Sequence, residues 1–117
     1  MNKFHTVTNT SSGQIIATRV KIAEDFKSRS VGLLNRSSLD EDEGLLISPC
    51  NSIHTFFMKF PIDIVFLDKK GVVVRTIENM VPSRMACSML KAFDTLELVA
   101  GKLKKTPVKV GDLLKIA

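Results

Sequence analysis

The sequence predicts a mainly β fold: a compact antiparallel β-sandwich or small barrel with one short helix in its N-terminal half. Three observations lead there. Residues 18–23 alternate, with Val20 and Ile22 on one face and Arg19 and Lys21 on the other, as a half-buried strand does. Residues 62–67 and 72–77 are rich in β-branched and aromatic residues and flank Asp68-Lys69-Lys70-Gly71, where Gly71 can supply the positive φ of a hairpin turn. One stretch alone, early in the chain, has a helical pattern, and many short strands with a single helix suit a sandwich or barrel.

The helix is expected from about Asp25 to Leu34. Asp25 suits an N-cap, and Phe26, Val31, Leu33 and Leu34 form a partial apolar stripe. Gly32 weakens its last turn, since glycine costs ~1 kcal/mol against alanine inside a helix. Residues 83–90, rich in methionine, fit either a short helix or a loop packed on the sheet. Residues 96–100 and 113–116 read as two further strands, with Gly111-Asp112 turning the chain before the second. No repeat, low-complexity tract or linker divides the chain, so residues 1–117 are expected to form a single domain.

Composition excludes several classes. The chain has 117 residues, 44% hydrophobic and 25% charged, which is globular and not disordered. The charge-free stretch at residues 44–58 contains Ser48, Pro49, Asn51, Ser52, His54 and Thr55, and no run approaches the ~20 apolar residues of a membrane span. Residues 1–5 lead into Thr, Asn and Ser and not into an apolar signal core, so the expected location is the cytoplasm. Net charge is +5, with Lys102, Lys104, Lys105, Lys109 and Lys115 near the C-terminus and four acids at Asp40, Glu41, Asp42 and Glu43. With no Trp or Tyr to stack on bases, the basic tail reads as a solvated surface, and no specific nucleic-acid partner is expected.

Several blocks carry a family resemblance. They are Arg29 with Val31-Gly32-Leu33-Leu34-Asn35-Arg36, then Gly44-Leu45-Leu46, then the run from Phe57-Met58-Lys59-Phe60-Pro61 to Asp68 with Gly71-Val72-Val73. Leu96-Glu97-Leu98-Val99-Ala100-Gly101 and Gly111-Asp112 close the series. In order and spacing the chain resembles the DUF192 family, also called UPF0127, of small prokaryotic proteins of unknown function. The resemblance spans residues 18–116, with Leu34 where the family usually has Met and Val99 where it often has Pro. It implies a compact β-sandwich-like domain and no particular reaction or ligand.

Candidate chemistry comes from the residues themselves. Cys50 and His54, spaced to share a strand face or a helical turn, could join Cys87 as soft ligands for Zn or Cu(I), with Met58 as a fourth. Plain packing as small hydrophobes is the leading reading of the same cysteines, with a Cys50–Cys87 disulfide or a reactive thiol as further alternatives. His54, between Ile53 and Phe56-Phe57, is expected to be partly buried with a polar partner, and Met58, Met80, Met85 and Met89 to fill the core. Asp63 and Glu97 are acids inside apolar strand patterns, where an unpaired charge is costly. Arg36–Asp63 or Arg29–Glu97 pairs would tie the helix to the sheet; alternatively the two acids face a pocket as an acid–base pair. No nucleophile elbow, phosphate loop or dinucleotide fingerprint occurs.

The leading functional expectation is a binding module with a pocket near His54, Thr55, Met58 and Asp63, with Arg36 and Glu97 as further candidate contacts, for a small molecule or partner segment. The alternatives are a metal-dependent or thiol enzyme using Cys50, His54 and Cys87, and a structural or assembly protein using a sheet edge.

Overall fold

A computed structural model describes residues 3–56, 58–87 and 92–117. The elements are β1 (His5–Asn9), β2 (Gln14–Ala23), α1 (Phe26–Val31), β3 (Glu43–Ile47), β4 (Ser52–His54) and β5 (Ile62–Leu67). They continue with β6 (Val73–Met80), β7 (Met85–Cys87), β8 (Asp94–Val99), α2 (Lys102–Lys105) and β9 (Leu114–Ile116). Seven strands form one sheet in the order β6-β5-β8-β3-β2-β1-β9, and β4 pairs with β7 in a separate ribbon. The fold is mostly β, a curled half-barrel with two short helices.

The curl follows from contacts between the two outer strands. Val72 bridges Leu113, the Val73 N–H donates to the Asp112 carbonyl (2.8 Å), and the Leu114 N–H donates to the Gly71 carbonyl (2.9 Å). Gly71 sits at φ +88°, and a Cβ there would lie 2.6 Å from the Leu114 oxygen, so the approach requires glycine. The preceding turn is held by the Asp68 carboxylate, which accepts from the N–H groups of Lys70 and Val72.

One pair departs from the expected antiparallel pattern: β2 and β3 run parallel. The connection through α1 carries the chain back to the starting end of β2, as a parallel neighbour requires. The helix itself is shorter than expected. Asp25 caps it by accepting from the Ser28 N–H (2.7 Å), and Gly32 ends it at φ +50°, its N–H donating to the Ser28 carbonyl. Within the ambiguous stretch 83–90, residues 85–87 form β7; Met89 and Leu90, like Phe57, lie outside the described residues.

All six residues of β5 are buried, because both sheet faces are covered. Ile62, Ile64 and Phe66 pack with Leu45, Ile47, Leu33 and Met58, while Val65 and Leu67 pack with Leu46, Leu96, Leu98 and Leu103. Strand pleating thus divides the interior into two cores, the first against the α1 segment and the second against α2.

Candidate functional site

Pleating also separates the two buried acids. In the β5–β8 register Ile64 opposes Glu97 and Asp63 opposes Leu98, so Glu97 shares the face of Ile64 and Asp63 the face of Leu98. Asp63 and Glu97 therefore point to opposite sides of the sheet and cannot form the acid–base pair that the sequence allowed. Asp63 is fully buried and fully used: Oδ1 accepts from the Asn79 N–H (2.8 Å) and Oδ2 from the Leu103 N–H in α2 (2.9 Å). It fastens α2 and the end of β6 to β5. The expected Arg36–Asp63 pair does not form. Arg36 lies in the loop leading to β3 and places Nη2 2.9 and 3.1 Å from the two carboxylate oxygens of Glu43, holding that carboxyl below its ordinary range.

Glu97 has no such return. It is 2% exposed, and among the described residues its Oε1 has no hydrogen-bond partner. Burial pushes its carboxyl from 4.5 up to about 8, so it is protonated at neutral pH. The expected Arg29–Glu97 ion pair is also not made among the described residues. The Arg29 guanidinium instead donates to the main-chain carbonyls of Asp25 and Pro49, both at 3.3 Å.

Both side chains line one cavity of about 100 Å³. Residues 29–34, at the end of α1 and the turn after it, form one wall, and Ile47 of β3 contributes beside Glu97. Cys50, Ser52, Ile53, His54 and Met58 complete the lining. A wider depression of about 470 Å³ lies between the Asp68–Lys70 turn and Phe93, but none of its lining residues is buried. The smaller cavity is the one whose lining includes Glu97, the residue with an unpartnered oxygen.

The remaining candidates separate into those that reach this cavity and those that do not. Met58 is buried and lines it. Contrary to expectation, His54 is exposed; it lines the cavity and lays its ring against Phe56, with centroids 5.6 Å apart. The cause is its place on the narrow β4–β7 ribbon, outside the large sheet, where few residues are available to cover it. Thr55 is buried but structural: its hydroxyl donates to the Val81 carbonyl (2.6 Å) and accepts from the Arg84 N–H (2.9 Å). Cys50 lines the cavity with its thiol donating to the Ser52 carbonyl (2.8 Å). Cys87, on β7 opposite Ser52, is exposed, and both thiols are free. Among the described residues no three His, Cys, Asp or Glu side chains come together as a metal site, so Cys50, His54 and Cys87 do not form the expected set.

The seat of the cavity overlaps the sequence blocks that carried the resemblance, Arg29 to Leu34 and the strand around Glu97. A family model for DUF192, described as "Uncharacterized ACR", matches residues 7–116. The chain belongs to the DUF192 family. Two solved structures share its fold. A protein of unknown function from Novosphingobium aromaticivorans is 24% identical, with a TM-score of 0.80 over 95% of this chain and 82% of that one. A Sinorhizobium meliloti protein described as a "putative transcription regulator" is 28% identical, with a TM-score of 0.83 over 96% of this chain and 91% of that one. No curated protein matches this DUF192 chain.

Residues 31–34, Ile47 and Ile53 are cavity walls that the sequence reading did not single out as a site. Val31, Leu33, Leu34, Ile47 and Ile53 are aliphatic and carry no chemical signal, and Gly32 reads only as a helix terminator. Glu97 was legible, as an acid in an apolar strand.

Proposed function

We propose that this DUF192 domain is a binding module whose pocket is the Glu97 cavity. The observation that carries the reading is that Glu97, a buried and neutral carboxyl group with an unpartnered oxygen, lines a small cavity together with apolar Val31, Leu33, Ile47, Ile53 and Met58. A buried polar atom without a partner costs about 1–3 kcal/mol, and a ligand that supplies the missing hydrogen bond recovers that energy on binding. About 100 Å³ is the share of roughly three waters at ~30 Å³ each, so the occupant is a very small molecule or the tip of a larger one.

The thiol-enzyme alternative draws on Cys50, His54 and Glu97 lining one cavity. Against it, the Cys50 thiol donates to the Ser52 main-chain carbonyl and, among the described residues, makes no hydrogen bond to the His54 imidazole. A role in DNA regulation would rest on the description of the Sinorhizobium protein and on the +5 charge alone.

A methyl-NMR screen of small neutral, cationic and anionic fragments tests the binding reading. Hits should move the Leu33, Ile47 and Ile53 methyls together, and Ile53→Trp, which puts bulk into the cavity wall, should abolish them. If no class of fragment shifts those methyls at millimolar concentration, the pocket is not a binding site.

A further inference from the structure

We propose that the occupant of this cavity is a short-chain monocarboxylate, of acetate to propionate size, held by Arg29 and Glu97. The inference rests on the binding reading above and names its ligand class. It follows from which hydrogen-bonding capacity the cavity has left.

Arg29 supplies only donors, five N–H groups and no acceptor. Its bonds to the Asp25 and Pro49 carbonyls, at 3.3 Å, are long, and among the described residues no carboxylate forms an ion pair with it. The neutral form of Glu97, which lines the same cavity, adds an O–H donor. The Cys50 S–H is occupied by the Ser52 carbonyl, so that pair contributes little to a ligand. A cationic residue and a neutral acid that line one cavity suit an anionic acceptor with two oxygens. One carboxylate oxygen takes the guanidinium and the other the Glu97 proton, and hydrogen bonds of both kinds are strengthened by the ligand's charge. A cationic ligand would meet Arg29 with no ionised acid among the cavity-lining side chains.

Size and wall chemistry set the rest of the molecule. Val31, Leu33, Ile47 and Ile53 offer apolar surface beside the polar groups, which suits a methyl or ethyl tail. Acetate amounts to three water-sized groups around one carbon, and propionate adds one more, against room for roughly three waters. Longer or dicarboxylic acids would have to project past His54 into solvent.

The test is a methyl-NMR titration at pH 6 with acetate, propionate, acetamide and propionamide, on the wild type and on Arg29→Gln. Arg29 is half-buried and its hydrogen bonds are to main chain, so the variant should keep the fold; an unchanged Tm checks this. The expected result is that propionate moves the Leu33, Ile47 and Ile53 methyls at least tenfold more tightly than propionamide, and that Arg29→Gln loses at least tenfold for the acid and little for the amide. Amides binding as well as or better than acids would overturn the carboxylate inference and leave the pocket reading standing. Neither class moving those methyls, with the broader fragment screen also silent, would remove both.

Discussion

Replacing Glu97 by Gln should change how stability depends on pH, and the sign follows from where the acid sits. The folded state holds the Glu97 carboxyl at about 8, against an ordinary value of 4.5. Between those values the folded protein keeps a proton that the unfolded chain has released. Stability contributed by this group is therefore present at low pH and is lost as pH rises through the window, by about 1.4 kcal/mol per pH unit. From pH 5 to 7.5 the wild type should lose about 3 kcal/mol relative to Glu97→Gln, whose amide does not titrate. Asp25, Asp42, Glu43 and Asp112, held low by their hydrogen-bond partners, are common to both proteins, as is Asp94, which burial raises. Arg29, Cys50 and His54, which share the cavity, are common to both as well. Their contributions cancel in the difference. Urea unfolding of both proteins at half-unit pH steps measures it, and carbon NMR of the Glu97 carboxyl reports the titration directly. Parallel stability curves from pH 5 to 7.5 would refute the argument, because they would mean that Glu97 is ionised in the folded protein at neutral pH.

Four further outcomes are expected. Asp63→Ala should cost about 3–4 kcal/mol in urea unfolding, since it strands the buried N–H groups of Asn79 and Leu103. Thr55→Val keeps volume but strands the Arg84 N–H and the Val81 carbonyl, so about 2 kcal/mol should be lost, with hydrogen exchange faster at residues 81–84. Gly71→Ala combines φ +88° with a Cβ 2.6 Å from a carbonyl oxygen and should lower stability by at least about 2 kcal/mol, read as a drop in Tm. Maleimide should label exposed Cys87 well before Cys50, whose thiol is half-buried and hydrogen-bonded, and mass spectrometry of a time course separates the two.

Local signals in the sequence carried the elements that local chemistry determines. The β5–β6 hairpin was legible because its strands are β-branched and Gly71 marks the turn, and the start of α1 because Asp25 is a strong cap. β3 was not legible: Gly44-Leu45-Leu46-Ile47 is buried on both faces and so shows no alternation. Gly44 is explained only by distant neighbours, since a Cβ there would meet Leu98, Glu97 and Val20 at 3.1–3.2 Å. β4 and β7 are three residues each, too short for any period to appear. The partner of Arg36 was misassigned for a related reason. Glu43 belongs to an acidic run that reads as solvated surface, yet its side chain is only 14% exposed, because the next residue enters the buried sheet.

The two buried acids show where a site departs from structure. Both stand in apolar strands, and in one dimension nothing separates them. Register does: a shift of one residue between β5 and β8 would bring both acids onto one face. On its own face Asp63 receives two main-chain N–H groups, one on each carboxyl oxygen, and so fastens α2 and the end of β6. Glu97 receives nothing comparable, and its neutrality is the cost of burial without a partner. A leucine at 97 would pack the same core without a stranded oxygen, and replacing poorly matched buried polar groups by apolar ones is commonly neutral or stabilising. Local rules broken without structural return mark functional positions more often than structural ones. That asymmetry, and not the presence of an acid in a strand, is the ground for proposing Glu97 and not Asp63 as the pocket's polar group.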